Sequence, residues 1–298
     1  MKRALLVLSP FVLGLFISVL LTLLIRPEAV LVFRVGLGIL FLLGGMSVSI
    51  LLAIMQWGRL RGQQNAITEA EERRRSFIRR LDHELKNPLT GLRAALANLS
   101  ESVSPAEREK ASANARRDVE RLTRLLADLR KLSDLDERAP ERVPVYVPNI
   151  LEEIVEAASN QPAHQGRSVS LLIANVPPLP LVIGDRDLLE LAFYNLIDNA
   201  LKFSGPGRQV EVRAREEGRS LVVEVADGGS GISAEDLPHL FEELYRGANA
   251  RGIEGSGLGL ALTARIVDLH GGSLKVTSHQ GERQGTVFSI HLPAGRPS

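Results

Sequence analysis

The sequence has no cysteine among its 298 residues, which excludes disulfide bonds, thiol nucleophiles and zinc sites built from cysteine. It also has no excess of either charge, with 36 basic and 35 acidic residues, so it lacks the positive footprint typical of nucleic-acid-binding proteins. Only five of the first 57 residues are charged, whereas the remaining 241 residues contain the other 66 charged residues. These 66 charges nearly cancel, to a net charge of −2. These absences predict a membrane-attached protein with a large soluble part and no direct nucleic acid binding.

The charge-poor start contains two long uncharged runs, at about residues 4–25 and 35–57. At ~1.5 Å of helix per residue, each run is long enough to cross the ~30 Å hydrocarbon core of a membrane. A cleaved signal peptide is the alternative for the first run, but its apolar region would normally be ~7–15 residues, and here a second run follows. Basic residues flank the pair on its outer sides, so both ends are expected in the cytoplasm. Residues 1–58 therefore predict a two-helix transmembrane region with a nine-residue connecting loop, too short for an external sensor domain.

Residues 59–138 predict a helical hairpin. Leucines recur at spacings of four and three along its first helix, close to the heptad period. They are Leu81, Leu85, Leu89, Leu92, Leu96 and Leu99. A second helix is expected from Ser104, its N-cap, and Pro105, its first residue, to about Leu135. Its inward-facing residues are Val119, Leu122, Leu126, Leu129 and Leu132. These apolar faces are too wide for one hairpin to bury, so a homodimer that forms a four-helix bundle is expected.

One histidine is distinctive on the first helix of the hairpin. His83 lies two residues after Leu81, about 200° around the helix, so it points away from the leucine stripe into solvent. Glu84 adjoins it, and Pro88 should bend or loosen the helix beside it. A neutral imidazole is a nucleophile toward phosphorus and the neighbouring carboxylate can accept its proton, although a solvated histidine without a role is the alternative. A zinc-protease H-E-x-x-H motif is excluded, because Asn87 occupies the second ligand position.

The pattern changes after a proline-spaced linker at residues 139–149. Helices are expected at about 148–159, 185–203 and 258–270, with Asp185 capping the second. Strands are expected at about 168–174, 210–214, 221–226, 274–278 and 286–292. Residues 150–298 therefore predict an α+β layer sandwich.

The middle helix of this half carries two asparagines with metal-binding chemistry. Asn195 and Asn199 share a helix face, and Lys202 and Phe203 follow one turn later. A neutral amide oxygen suits Mg²⁺ between phosphates, where a carboxylate would repel them. Two asparagines on an amphipathic helix can equally be ordinary solvated residues, so this pair alone is weak support for a site.

Two glycine-rich segments follow this helix. Asp227 ends an apolar strand before residues 228–232, where its carboxylate can accept a hydrogen bond from an adenine amino group and the glycines let the backbone pass close by. Residues 255–260 open a helix and present free backbone N–H groups to phosphate. A Rossmann G-x-G-x-x-G motif would need glycine at Leu260, and the chain has no Gly-Lys pair for a P-loop.

In this order, the motifs resemble those of bacterial sensor histidine kinases. Residues 76–89 are similar to the H-box of that family, which lies on a dimeric hairpin. Residues 195–203, 227–232, 240–247 and 255–260 resemble the N, G1, F and G2 boxes of the GHKL-type ATP-binding domain that histidine kinases share with gyrase, Hsp90 and MutL. The resemblance covers about residues 65–295 and implies ATP and Mg²⁺ as cofactors.

The resemblance implies a role for each matching residue. His83 would be phosphorylated, Glu84 would accept its proton, and Asn87 would orient water when a partner is dephosphorylated. The implied nucleotide-binding residues are Asn195, Asn199, Lys202, Phe203, Asp227, Gly229, Gly231, Ile232, Phe241, Arg246, Gly255, Gly257, Leu258 and Gly259, and Asn199 is the implied Mg²⁺ ligand. Residues 242–254 would form a mobile lid over ATP, with Leu244 where many relatives have an aromatic residue.

The sequence hypothesis is thus a multi-domain, multi-pass sensor histidine kinase of the bacterial inner membrane, with its kinase core in the cytoplasm. It would phosphorylate His83 and then an aspartate of a response regulator, with a possible phosphatase activity as well. No receiver domain follows the last expected strand, so the regulator should be a separate protein. The membrane helices should run almost directly into the hairpin. One alternative is an ATPase of the gyrase and Hsp90 type, which would have glutamate in place of Asn195; the other is a pseudokinase scaffold, which the intact Asp227 and Asn199 disfavour.

Overall fold

The computed structural model of the protein describes residues 12–17, 19–20, 31–97, 104–137, 140–159, 166–174, 178–205, 207–250, 252–281 and 284–295. These residues belong to two units, Met1–Ser76 and Phe77–Ser298. A single helix of 67 residues, α1 (Leu31–Ala97), starts in the first unit and ends in the second.

The first unit is helical wherever it is described. Residues 12–17 and 19–20 are helical, and within α1 the stretch Phe41–Gly58 is long and apolar enough to cross a membrane. Gly14 is buried, and a Cβ atom there would lie 2.7 Å from the Phe41 carbonyl oxygen. Small residues therefore let the two helical stretches approach closely. The expected first span, residues 4–25, lies largely outside the described residues, so one of the two expected spans is seen as a candidate.

The second unit begins with the predicted helical hairpin, formed by α1 and α2 (Pro105–Glu137). Ser104 caps α2: its Oγ donates to Glu107 Oε2 at 2.6 Å and accepts from the Glu107 N–H at 3.3 Å. The hydrogen bonds that the Ser104 hydroxyl and backbone N–H donate to Glu107 Oε2 lower the pKa of this exposed carboxyl. Pro88 lies inside α1, and the helix continues unbroken on both sides of it, so the expected loosening does not interrupt the helix.

Part of the leucine stripe on the hairpin is covered and part is exposed. Leu81 and Leu85 are partly buried, together with residues of the ATP-binding half. Leu89, Val119 and Leu126 are 50%, 50% and 60% exposed. One chain therefore leaves apolar side chains on both helices of the hairpin uncovered, as expected for hairpins that pair.

The rest of the second unit is the expected layer sandwich. Its elements are β1 (Val143–Val145), α3 (Val147–Ser159), β2 (Ser168–Ile173), β3 (Val182–Gly184), α4 (Arg186–Phe203), β4 (Gln209–Glu217), β5 (Ser220–Asp227), α5 (Gly259–Leu269), β6 (Ser273–His279) and β7 (Gly285–Pro293). The main sheet has the order β2-β4-β5-β7-β6, in which β2 and β4 are parallel and the other neighbours antiparallel. The five expected strands and three expected helices are all present, with boundaries shifted by up to three residues.

The core of the sandwich lies between the sheet and the helices. Residues along β7 alternate between buried and half-buried, so one face of the sheet packs inward. Phe193, Leu196 and Ile197 of α4 are fully buried in this core. Asp185 caps α4 as predicted, since its Oδ1 accepts from the N–H groups of residues 187 and 188. This cap fixes the start of the helix that carries both site asparagines.

A small second sheet was not expected. Strand β1 pairs antiparallel with β3, with Val143 opposite Gly184. Val145 and Val147 are buried in the core, so the stretch expected as a linker at residues 139–149 is partly structured. A three-residue strand in a proline-spaced segment shows no alternation that a sequence pattern can reveal.

Candidate active site

His83 is exposed on α1, on the face that looks toward the ATP-binding half. It lines a groove of about 290 Å³ whose other walls come from both parts of the unit. The lining residues are Arg80, His83, Glu84, Leu244, Tyr245 and Arg246. The groove therefore brings the H-box of the hairpin together with the F box. Among the described residues, no hydrogen bond joins His83 directly to the asparagines of α4.

Glu84 is oriented by the second helix of the hairpin. Arg121 Nη2 on α2 donates to Glu84 Oε2 at 2.7 Å, and the Glu84 side chain is only 18% exposed. The carboxylate beside His83 therefore has a fixed direction rather than the freedom of a surface glutamate. Asn87 lies one turn beyond His83 and is exposed.

Asp227 lies at the end of β5 in a partly desolvated position. Burial raises the pKa of its carboxyl, although hydrogen bonds from the backbone of Gly229 and Thr286 act in the opposite direction. The Gly229 N–H donates to Asp227 Oδ1 at 2.8 Å. A Cβ atom on Gly229 would lie 2.5 Å from the Phe203 carbonyl oxygen, so only glycine fits between the end of α4 and Asp227.

The N box on α4 and the start of α5 are joined directly. Asn195 Nδ2 donates to the Gly259 carbonyl at 3.3 Å, and a Cβ atom on Gly259 would be 3.6 Å from Asn195 Oδ1. Asn199 is half-buried one turn further along α4. Lys202 Nζ lies 2.5 Å from Asp198 Oδ2, and its charge also helps to lower the pKa of Glu254 in the lid. Lys202 thus lies near the end of α4, on the side close to Glu254 of the lid.

Residues 255–260, the expected phosphate loop, contain a sharp turn just before α5. Gly257 has a φ of 74°, and a Cβ atom there would lie 2.9 Å from the Tyr245 carbonyl oxygen. Leu258 is fully buried and anchors the loop in a second apolar cluster, which α4 and α5 share with the hairpin. Gly255 has open space around its Cα, with no other atom within 4 Å of a Cβ atom built there. The loop is therefore closely packed at Gly257 and Leu258, whereas a Cβ atom at Gly255 would meet no neighbouring atom.

One arginine makes several hydrogen bonds within and just after residues 242–254, the expected lid. Arg246 donates to the carbonyl groups of Ala250, Ile253 and Gly255, at 2.7, 2.5 and 3.1 Å. Tyr245 donates its hydroxyl proton to Asp236 Oδ1 at 2.7 Å, and this bond raises the pKa of Tyr245 to about 12. The three hydrogen bonds of Arg246 brace the segment between Arg246 and Gly255.

The lid is also tied to α2 of the hairpin. Arg124 Nη1 donates to Glu254 Oε2 at 2.9 Å, and this bond is the main reason that the pKa of Glu254 is lowered. Ser256 Oγ in the phosphate loop donates to Asp128 Oδ2 at 2.7 Å. The ATP-binding half is thus docked on the hairpin by polar contacts as well as by the second apolar cluster.

The remaining residues expected at the site support its walls. Gly231 has a φ of 73° and lies against the His279 carbonyl, too close for any Cβ atom. The Ile232 N–H donates to Ser278 Oγ at 2.8 Å. Phe203 is half-buried, and Phe241 packs against the main core.

Two family descriptions match this chain. Residues 73–138 match "His Kinase A (phospho-acceptor) domain", and residues 184–296 match "Histidine kinase-, DNA gyrase B-, and HSP90-like ATPase". The chain belongs to the sensor histidine kinases. The two matched regions are the hairpin with His83 and the layer sandwich with the candidate nucleotide site.

Individual histidine kinases are similar to about three quarters of this chain. The chain is 36% identical over 242 residues to the signal transduction histidine-protein kinase/phosphatase MprB of Mycobacterium ulcerans (strain Agy99), which covers 78% of this chain and 46% of the relative. The structure of ShkA in complex with AMPPNP has a TM-score of 0.53 and 26% identity, covering 73% of this chain and 45% of that one. Histidine kinase ThkA, solved with response regulator protein TrrA, shares the fold, with a TM-score of 0.62 and 18% identity over 80% of this chain and 66% of that one. The chain spans about half the length of the curated relatives it matches.

The N box of this histidine kinase has donors that fit a magnesium ion. No group of three or more histidine, aspartate or glutamate side chains suitable for a metal occurs in the part of the chain that the structure describes. Mg²⁺ in nucleotide sites is held largely by phosphate oxygens and water, with few protein ligands. The neutral amide oxygen of Asn199 meets that requirement without repelling phosphate.

Five residues of the site were not predicted from the sequence. The contacts that orient Glu84 and dock the two halves of the unit are formed by Arg80, Arg121, Arg124, Asp128 and Ser256. Arg80 lies three residues before His83, so its position on the same helix face was available from the spacing. Its partner could not be identified, because nothing in one sequence pairs residues 162 positions apart.

Proposed function

We propose that this chain is a membrane-bound protein-histidine kinase that transfers the γ-phosphoryl group of ATP to His83 and then to an aspartate of a separate response regulator. The observation that carries the proposal is the groove in which exposed His83 faces Tyr245 and Arg246 of the ATP-binding half. An acceptor histidine and an ATPase-type fold within one unit are what transfer to a side chain requires.

The transfer itself is a displacement at phosphorus. A nitrogen of the His83 imidazole attacks the γ-phosphorus, an N–P bond forms, and the bond from that phosphorus to the bridging oxygen breaks as ADP leaves with the electron pair. The imidazole N–H proton passes to the Glu84 carboxylate, which Arg121 holds in place at 2.7 Å. The acceptor aspartate of the regulator later attacks the same phosphorus, the N–P bond breaks with its electron pair left on the imidazole nitrogen, and the ring regains its proton from Glu84, which regenerates neutral His83 and the Glu84 carboxylate.

The nucleotide would be held by the residues of the four boxes. Asp227 accepts a hydrogen bond from the adenine amino group, beside the close approach at Gly229. Lys202 and the backbone N–H groups before α5 neutralise phosphate charge. Asn199, with Asn195 beside it, would hold Mg²⁺, which supplies charge neutralisation on the phosphates when bound.

Two partners fit the hairpin. The exposed Leu89, Val119 and Leu126 support a homodimer in which two hairpins close into a four-helix bundle. A response regulator is the second partner, and the ThkA structure with TrrA is an example of such a complex in a protein of the same fold. Exposed Asn87, one turn from His83, would orient water when the regulator is dephosphorylated.

We further propose that residues 4–25 and 35–57 both span the bacterial inner membrane, with both termini and the kinase core in the cytoplasm. The candidate span Phe41–Gly58 and the basic residues on the outer sides of the pair support this topology. With nine residues between the spans, the input would be felt within the membrane, at its surface or through a partner.

Incubation of the full chain in detergent with γ-labelled ATP and Mg²⁺ tests the assignment. We expect acid-labile, base-stable label on the wild type and none on His83→Ala, because a phosphorus–nitrogen bond is formed at that residue alone. Retention of ATP-analogue binding by His83→Ala serves as the control for folding. Label that persists in His83→Ala would exclude His83 as the acceptor, and phosphate release without labelled protein would favour the ATPase alternative.

A further inference from the structure

Arg80 joins the hairpin to the F box of the ATP-binding half through three contacts. Its Nη2 atom lies 2.5 Å from Glu242 Oε2, and its Nη1 atom donates to the Glu243 carbonyl at 3.1 Å. Its guanidinium carbon lies 5.2 Å from the centroid of the Tyr245 ring, within range of a cation–π interaction. One planar, forked cation therefore contacts a carboxylate, a carbonyl and a ring within the four residues 242–245, which a lysine could not do.

The two F-box side chains that Arg80 contacts are also held by other residues of the ATP-binding half. Glu242 Oε1 is bound by His239 Nδ1 at 2.5 Å, which leaves Oε2 facing Arg80. Tyr245 is held by its hydroxyl bond to Asp236, and its ring lies 5.4 Å from that of His239. Burial acts to raise the pKa of Glu242, but the bonds from His239 and Arg80 outweigh burial and lower it, so the carboxylate stays ionised.

The residue between these contacts adopts an unusual backbone conformation. Leu244 has a φ of 58°, the only positive value among the described non-glycine residues, and it is 4% exposed. Its side chain is buried in the second apolar cluster, against which Leu81 and Leu85 of the hairpin also pack. A left-handed leucine is disfavoured, so its environment must hold it. Arg80, which grips the residues on both sides of Leu244, provides that restraint.

The contacts of Arg80 with residues 242–245, which we call the clamp, are partly shielded from water. The side chains of Arg80 and Glu242 are 27% and 34% exposed, well below the exposure of the surface pair Arg124 and Glu254, at 55% and 67%. Partial burial strengthens a charge pair and reduces its screening by salt. Arg80 also lines the groove at His83, one helical turn away, so the docked segment ends beside the acceptor.

We infer that Arg80 is a positioning residue for the transfer reaction: by clamping Glu242 and Tyr245, it holds the F-box segment with its strained Leu244 against the H-box, beside His83. It contacts neither the candidate adenine site nor the phosphate loop among the described residues. The kinetic part of this inference rests on the proposed kinase activity, whereas the docking part does not.

Charge reversal gives the kinetic test. In the full chain, Arg80→Glu should slow His83 phosphorylation at saturating ATP by about tenfold, the size of one charge-assisted hydrogen bond, with the KM for ATP unchanged. Glu242→Arg should have a similar effect, and the double variant Arg80→Glu/Glu242→Arg should recover most of the rate. Arg79→Glu, the same charge change at an exposed neighbouring residue, should leave the rate within about twofold, the scale of a surface charge. Equal rates for the two single arginine variants, or no recovery in the double variant, would overturn the clamp.

A docking measurement separates this inference from the proposed function. The chain has no cysteine, so Leu244→Cys introduces a single thiol at a residue that is 4% exposed. In that background, Arg80→Glu should raise the rate of maleimide labelling about tenfold, the charge-swapped double variant should lower it again, and Arg79→Glu should not change it. Labelling that is unaffected by Arg80→Glu would overturn the clamp. If the wild type phosphorylates nothing while the labelling order holds, the clamp stands and the proposed function falls.

Discussion

Asp227 is the carboxylate that we propose binds adenine, and its burial opposes the charged form that this role would use. Burial raises its pKa above the ordinary 3.8, so between the ordinary and the raised value the folded protein binds more protons than the unfolded chain. Its ionisation therefore costs folding stability as the pH rises through that window. The proposed hydrogen bond from adenine, in contrast, would use the ionised form of Asp227 as a strong acceptor, so affinity for nucleotide should rise with pH over the same window.

We predict that acidification weakens nucleotide binding through Asp227, and that the loss begins at a higher pH than for an aspartate with an ordinary pKa. Asp227→Asn should lower the affinity for a non-hydrolysable ATP analogue by about tenfold or more, since a charge-assisted hydrogen bond is lost, and should flatten this part of the pH profile. Calorimetric titration from pH 7.5 down to about 4, close to the ordinary aspartate pKa of 3.8, measures both effects. Glu216→Gln, at an exposed residue of β4, is the control for removing a carboxylate. Identical pH profiles for wild type and Asp227→Asn would contradict the adenine role.

Glu84 illustrates what a sequence can and cannot reveal about a single residue. Its position next to His83 suggests a proton acceptor, because the two side chains are neighbours on one helix. The bond to Arg121 on α2, 37 residues away, depends on how the two helices of the hairpin are rotated against each other. Helical periodicity gives the inward faces but not the pairing of polar residues across the interface. The pairing of Arg121 with Glu84 could therefore not be predicted from the sequence and required the structure of the hairpin.

Elements with a clear period were predicted well, and the exceptions have a common cause. Helix α4 and strands β5 and β7 have strong patterns, and Asp185 caps α4 as expected. Strands β1 and β3 are three residues each, too short for a period, and exist because they pair with each other across 37 residues of sequence. Leu244 was expected to affect the packing of the lid, but its left-handed conformation depends on contacts from the hairpin. The sequence predicts local structure, and contacts between distant segments decide the remainder.

The phosphate loop offers a matched pair of glycines that tests how this element is built. Gly257 has a φ of 74° and would place a Cβ atom 2.9 Å from the Tyr245 carbonyl oxygen and 3.0 Å from the Leu244 carbonyl carbon. Gly255, two residues earlier, has open space. We predict that Gly257→Ala destabilises the ATP-binding half by about 1–3 kcal/mol, the typical cost of a strained backbone, whereas Gly255→Ala stays within about 0.5 kcal/mol.

Calorimetric melting of the full chain without nucleotide checks this difference. For a domain of this size, the Gly257→Ala substitution should lower the melting temperature by roughly 3–10 °C, and Gly255→Ala by no more than about 2 °C. Omitting nucleotide matters, because a Cβ atom at Gly255 would face the position that the phosphates are expected to take. Equal melting temperatures for the two variants would mean that the loop is not held at Gly257.

At the scale of the whole molecule, helix α1 carries both the candidate membrane span and the proposed phosphate acceptor. It contains the candidate span Phe41–Gly58 and His83 without a break between them. A continuous helix transmits rotation about its axis, and each residue added to it turns everything beyond by about 100°. If the spans control the kinase through α1, the rotational phase between Gly58 and His83 should therefore set the activity.

We predict that insertion of one alanine after Thr68 changes the basal rate of His83 phosphorylation by about tenfold in either direction, because it rotates the input by about 100° and a shift near 1.4 kcal/mol in the balance of kinase states is sufficient. Insertion of seven alanines, about two full turns, should return the rate to within about twofold of wild type, although it lengthens α1 far more. Phosphorylation is measured on the full chain in lipid nanodiscs, so that the spans are constrained. Retained ATP-analogue affinity in both variants shows that the ATP-binding half is intact. A rate that falls steadily with insert length, or that is unchanged by both inserts, would contradict control by rotation, because rotation predicts that seven added residues disturb the rate less than one does.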